Sequence, residues 1–358
     1  GKVMGDSGAS VGIANKMLKL LGEKSVVLVV MLTGLVLSYG GIGTFIIAFS
    51  LYPIAVALFQ KADIPKKLIV ATIMVCPLPG SPSTQNLIPT QYFGTTAYAG
   101  ASIGLICSVI MFVSAYLFLN WQIKKAKAAG EHFVASPGED IMDLNAVDEG
   151  KTPSIGACFA PIVVLLVLMF GIQSLTSIPS SYAVAIAMAC AIIVGCVLYR
   201  DRLNVKEAVS NGAGGGLSSL IATSSIMGFG SVVSASPAYE SITTALVNMD
   251  ANPLITALIS INVIAAITGS SAGGLNIFLS SMGEYLAASG LNMAMLHRVV
   301  CIASSGFDAM PHASGMVVCN QIAKTSQKDT YKYVFITCAI MPFCCAILAC
   351  IIGTLGIV

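Results

Sequence analysis

Two distant stretches of this chain repeat each other in the same order, and that repetition narrows the folds open to it. Gly1, Val3, Ser7, Ala9 and Ile13 return as Gly230, Val232, Ser236, Ala238 and Ile242 at one constant displacement. Gly40-Gly41-Ile42 and Phe45 return as Gly273-Gly274-Leu275 and Phe278. Pro82, in a Gly/Pro/Ser-rich break, returns as Pro311 in another such break. A twofold repeat that carries paired interruptions inside apolar segments is the pattern of secondary-transporter folds.

Composition sets the solvent. Hydrophobic residues make up 56% of the 358 residues and charged residues only 9%, where a soluble domain has roughly a quarter charged. A net charge of +2 without a Lys/Arg tract gives nucleic acid nothing to hold. Of the eleven cysteines, Cys107, Cys190, Cys196, Cys338 and Cys350 lie in apolar runs, and no CxxC or Cys/His ligand spacing occurs. They read as small buried side chains, with no metal and no cofactor. The expected fold class is all-α: a polytopic membrane protein with inverted-topology repeats, two re-entrant hairpins and two broken helices.

Lysines and arginines orient the apolar segments. An amphipathic stretch at 1–22 leads to Lys16, Lys19 and Lys24. The apolar run that follows is basic on both flanks, with Lys61, Lys66 and Lys67 beyond it. This predicts a hairpin at 24–60 that enters and leaves on the cytoplasmic side, its tip at 39–44. A broken helix at 67–95 is interrupted at 77–86, where three prolines in six positions bar helix continuation. A span at 97–121 ends at Lys124, Lys125 and Lys127, and 122–153 is expected to be a mobile cytoplasmic linker loop. Spans near 154–175, 182–199 and 206–228 follow, with Arg200, Arg202 and Lys206 marking the cytoplasmic side.

Residues 230–250 then fall outside, where Ala245 and Asn248 replace Lys16 and Lys19. A second hairpin at 253–287, tip at 268–276, precedes a second broken helix at 296–322, interrupted at 304–315. Lys324, Lys328 and Lys332 return the chain to the cytoplasm before a last span at 333–356. The two repeats are thus 1–121 and 154–358. Residues 154–229 precede Gly230 while nothing precedes Gly1. The symmetry leads us to expect a first repeat truncated at its N-terminus, from a protein of about 430 residues.

Irregular backbone at membrane depth is tolerated only where it lines a cavity or is buried in protein. Half-helix N-termini favour anions and free carbonyls favour cations. The breaks offer short polar groups (Ser81, Ser83, Thr84, Asn86, Ser270, Ser271, Asn276) and no Arg or Lys. They predict recognition of a small organic anion by backbone and hydroxyl donors. Gly80 and Ser305 line the same breaks, and Thr44 closes the first tip.

Gly1-Lys2-Val3-Met4-Gly5-Asp6-Ser7-Gly8-Ala9, Pro77-Leu78-Pro79-Gly80-Ser81-Pro82, Gln85-Asn86-Leu87-Ile88-Pro89-Thr90, Phe93-Gly94-Thr95-Thr96-Ala97, Ser304-Ser305-Gly306-Phe307-Asp308 and Pro311-His312 resemble the gluconate permease family. The resemblance is greatest to its D-β-hydroxybutyrate permease branch. It implies secondary active import of a small hydroxy-monocarboxylate, of gluconate or 3-hydroxybutyrate type, with H+ as the coupling ion and Na+ as the alternative. It also implies elevator-like motion, a homodimer and a multi-pass place in a bacterial inner membrane. A proton- or sodium-coupled carboxylate antiporter is the alternative function.

Single residues keep two readings. Asp308 and His312 stand four apart in the second break and are read as solute or proton-coupling groups. Otherwise, Asp308 caps the half-helix near Pro311 while His312 donates to a carbonyl. Gln85 and Asn86 either contact the solute or cap broken backbone. Gly41, Gly43, Gly273 and Gly274 serve backbone freedom at the tips, and Asp6 reads as a helix cap. His132 and His297, in a loop and at a membrane boundary, are assigned no chemistry. No HExxH or GxSxG motif occurs, so an enzyme is not expected.

Overall fold

The computed structural model describes residues 2–9, 12–13, 16, 19, 22, 25–39, 44–76, 80, 84–136, 139, 152–176, 178, 180–247, 249 and 252–358. The described residues are helical, without a strand. α1 (Lys2–Asp6) is one short turn, in which Lys2 and Asp6 pair at 2.8 Å. α2 (Val26–Tyr39) and α3 (Thr44–Lys61) pack on each other; the residues 40–43 of the first tip lie outside the described ones. α4 (Ile69–Met74) stops ahead of the proline cluster, and the chain resumes as the short turns α5 (Thr84–Leu87) and α6 (Thr90–Phe93).

α7 (Ala101–Ala128) is 28 residues long. It runs past the span end expected at residue 121, because Lys124, Lys125 and Lys127 continue the helix. Lys125 and Lys127 stand in its last turn, where cations suit the dipole. α8 (Ile155–Leu175) and α9 (Ser180–Leu198) form a packed pair, followed by α10 (Val205–Ser234) and α11 (Pro237–Val247). α12 (Pro253–Thr268) and α13 (Ser271–Ala287) turn back on each other within two residues. α14 (Met293–Ser304) and α15 (Ser314–Ala323) flank the second break. The chain ends in α16 (Gln327–Phe335), a π-helical stretch at Ile336–Ile340 and α17 (Met341–Thr354). Pro342 follows that stretch; lacking an N–H, it interrupts the regular ladder, which the wider turn absorbs.

Two helical stretches among the described residues are long and apolar enough to cross a membrane by length and composition, Ala101–Ala128 and Gln327–Thr354. They pack together, with the Cys107 thiol 3.6 Å from the Cys345 carbonyl and the Cys345 thiol 3.9 Å from that of Cys107. α7 is two-faced. Ile103, Cys107, Met111, Ala115 and Leu119 are buried, while Leu105, Val109, Val113, Leu117 and Trp121 form an exposed stripe at four-residue spacing. Leu105 and Leu117 are 60% and 61% exposed. An apolar stripe of this length is costly in water and at home in lipid.

The packing around the breaks interlocks. α2 and α3 lie against α4, and α3 also against α15. α12 and α13 lie against α14, and α13 also against α5 and α6. Each helix pair therefore touches the first half of the broken helix that follows it and the second half of the other.

Candidate functional site

The second tip is tighter than its sequence suggests. Gly269 ends α12 in the left-handed region (φ +60°), where its N–H closes on the Ala265 carbonyl at 2.9 Å. Ser270 caps α13, its hydroxyl accepting from the Gly273 N–H at 3.1 Å. Gly273, Gly274 and Asn276, expected in the tip, belong to α13 instead. Gly274 is needed for close packing: a Cβ there would stand 2.9 Å from the Ala265 Cα. Asn276 is spent locally, its amide donating to the Ala272 carbonyl at 3.1 Å.

Three elements meet at Ser271, which is buried at the start of α13. Its hydroxyl accepts from Gln85 Nε2 of the first break at 2.9 Å. From the second break, the Asp308 carboxylate faces the Ser271 hydroxyl and backbone N–H. The carboxylate thus sits at the N-terminal end of α13, where free amides and the helix dipole favour negative charge. It faces the start of this helix, whose cap is Ser270; α15, the half-helix that follows Asp308 in sequence, begins after Ala313 without a side-chain cap. The π-helical stretch of the last span adds Cys338 beside Asp308, and the rings of Phe307 and Phe343 lie 5.2 Å apart.

His312 is exposed, and its Nε2 lies 3.3 Å from the Ile267 carbonyl. Its ring also covers Gly269, at which a Cβ would be 3.0 Å from the imidazole Cδ2. It therefore rests on the tip rather than against Ser271. The neighbouring Pro311 carbonyl accepts from Gln327 Nε2 at 2.9 Å. Ser305 closes α14, and Thr44 opens α3, half-buried. In the first break, the Gly80 N–H donates to Ser108 Oγ on α7 at 2.9 Å. Thr84 starts α5, whereas Ser81 and Ser83 lie outside the described residues.

Sequence reasoning missed Arg298. It is buried on α14 and donates from Nη1 to Asn86 Oδ1 at 2.6 Å, from Nε to the Ala99 carbonyl at 2.9 Å and from Nη2 to the Ala97 carbonyl at 3.2 Å. Asn86, itself 1% exposed, is thus tied to the other broken helix. Gly100 (φ +61°) and Gly104 make the groove, since a Cβ at Gly100 would stand 2.6 Å from the Arg298 Cβ. The adjacent His297 is fully buried, with Nδ1 2.6 Å from Thr95 Oγ1. The available signal was an arginine within an apolar run, which at membrane depth always needs partners. No group of three or more His, Cys, Asp or Glu side chains among the described residues is arranged to hold a metal ion.

Comparison with known proteins adds one relationship. The chain is 29% identical, over 379 aligned positions, to the uncharacterized transporter YxjC of Bacillus subtilis (strain 168). The match spans 94% of this chain and 80% of that protein. No family model matches the chain, so the likeness to gluconate permeases rests on the motifs quoted above. Together with the helical fold and its two spanning stretches, the similarity supports a membrane transporter role.

Proposed function

We propose that this protein is a secondary active transporter that imports a small hydroxy-monocarboxylate with a coupled proton. The observation that carries the reading is the convergence of Gln85, Ser271 and Asp308 from two helix breaks and one tight helix turn. Such a junction has amide and hydroxyl donors for a carboxylate and one ionisable carboxyl that can hold and release a proton. The interlocked packing of α2–α3 and α12–α13 with both broken helices supports an inverted repeat that moves as a unit, in the elevator manner. The similarity to a transporter over most of the chain supports the same reading. In it, Asp308 carries the proton, His312 steadies the tip, and Gln85 and Ser271 bind the anion. A homodimer in a bacterial inner membrane completes the picture.

The test is uptake by the natural full-length protein in proteoliposomes under an imposed pH gradient, with labelled 3-hydroxybutyrate and gluconate compared. We expect accumulation of one of them, abolished by Asp308→Asn and lowered by His312→Ala. If neither solute accumulates, or if Asp308→Asn keeps gradient-driven uptake, the reading fails.

A further inference from the structure

The loop between α3 and α4 is built to hold the segment that follows α7. Asp63 takes a left-handed backbone conformation (φ +49°), uncommon for a residue with a side chain. There its carboxylate gains two partners from that segment. Oδ2 lies 2.6 Å from His132 Nδ1, and Oδ1 accepts the Phe133 N–H at 2.9 Å. Lys127, in the last turn of α7, donates to the Ala62 carbonyl at 2.7 Å, and Lys67 pairs with Glu131.

A few residues further, Glu139 turns inward. It forms an ion pair with Lys66 and accepts from the Tyr52 hydroxyl, and the two paired side chains are only 5% and 6% exposed. Ser136 closes the ring: its hydroxyl accepts from Lys66 Nζ at 2.8 Å, and its N–H donates to Glu139 Oε2 at 3.1 Å. Tyr52 belongs to α3, and its oxygen also lies 3.3 Å from the Ala323 carbonyl at the end of α15. A single carboxylate from the linker therefore ties α3 to the start of the first broken helix, and Tyr52 places both beside the last turn of the second one.

A solvated loop has no need of this. Exposed ion pairs contribute about 1 kcal/mol or less, whereas a buried Lys–Glu pair must offset a large desolvation cost through its geometry. The buried pair is moreover preceded along the segment by the Glu131–Lys67 and His132–Asp63 contacts, so the attachment is specified at several points rather than at one.

We propose that residues 131–136 and Glu139 form a latch that fastens α3 and α15 to the end of α7, and that these helices shift relative to α7 only when Glu139 leaves its seat. The importance of the latch for transport rests on the reading above; its mechanical action does not.

The test needs no solute. Amide hydrogen exchange would be followed in the natural full-length protein in nanodiscs, as wild type, Glu139→Gln and the milder Ser136→Ala. A latch predicts that exchange rises about fivefold or more in 131–136 and, together with it, in 61–68 and 320–325, through opening of a shared unit. In a second arm, Asp63→Cys/Phe133→Cys is oxidised, with oxidised wild type as the control for native thiols; exchange in 320–325 should fall and recover on reduction. If Glu139→Gln changes only 131–136, or changes nothing, the segment is a passive tether and the proposal is overturned. Should Glu139→Gln fail to fold, Ser136→Ala and the oxidised pair decide by the same regions. A latch that behaves as expected in a protein that moves neither solute would sink the transport reading alone.

Discussion

The Gln85 side-chain amide donates to the Ser271 hydroxyl across 2.9 Å, joining the first broken helix to the turn between α12 and α13. Asp308 faces the same serine, so one hydroxyl serves three elements that the sequence holds far apart. Both broken helices thereby meet at the start of α13.

This junction can be separated from simple helix capping. Ser271→Ala removes the acceptor for Gln85 and should lower initial uptake about tenfold, the scale of one well-placed hydrogen bond. Ser270→Ala removes only the cap of α13 and should cost about 1 kcal/mol of stability with uptake kept within about threefold. Initial-rate uptake and thermal unfolding of both variants check the contrast. Equal transport by the two serine variants would remove Ser271 from the site.

Arg298 fills a groove that only glycine leaves open. Gly100→Ala meets both a left-handed backbone and a clash, 2.6 Å from the Arg298 Cβ and 2.7 Å from the Ala294 carbonyl. Gly94→Ala meets a similar backbone angle, φ +60°, in open space. We expect Gly94→Ala to cost about 1 kcal/mol and Gly100→Ala about 3 kcal/mol or more. Thermal denaturation in one detergent ranks them, and the opposite order would mean that Arg298 is not tightly seated.

Asn262 and Gly306 form a size-matched contact between α12 and the second break. A Cβ at residue 306 would stand 2.2 Å from Asn262 Oδ1, while the Asn262 amide donates to the Leu258 carbonyl at 2.8 Å. Gly306→Ala alone should destabilise by about 2 kcal/mol, and adding Asn262→Ala should restore most of the loss. Additive costs in the double variant would show that the two side chains do not share this space.

Docking of the linker should depend on acid in one direction only. The Asp63 carboxyl is held below the usual carboxylate range, first by the His132 ring and then by the Phe133 N–H. A depressed carboxylate contributes fully above its unfolded value, about 4, and loses that contribution as pH falls through its folded value. Asp63 is half exposed, so screening keeps the effect small. Cleavage by pepsin after Phe133 should therefore increase as pH is lowered below about 4 in the wild type. In Asp63→Asn this step should vanish; the same profile in both proteins would mean that another group responds.

Helical class and the two long apolar helices were legible in the sequence because they depend on composition, which is a local property. Gly273-Gly274 was harder to read. A glycine pair fits a loop tip as well as a helix pressed against its neighbour, and only the approach of Ala265 decides. Lys124–Lys127 suggested a membrane exit but not that α7 continues through it to Ala128. Arg298 stayed hidden because its partners, Asn86, Ala97 and Ala99, lie some two hundred positions away. Charge at membrane depth announces that partners exist without saying which. The destination of Asp308 was likewise beyond local pattern, since it faces the start of a helix that precedes it in the chain.

The exposed stripe along α7 has a consequence for how this gene can drift. Leu105, Val109, Val113, Leu117 and Trp121 face a liquid that asks only for oiliness, so one aliphatic residue there is nearly as good as another. The opposite edge, with Ile103, Cys107 and Met111, is fitted against solid neighbours and has no such latitude. In a library of random variants, one helix should thus show two mutational tempos, changing side every second or third residue.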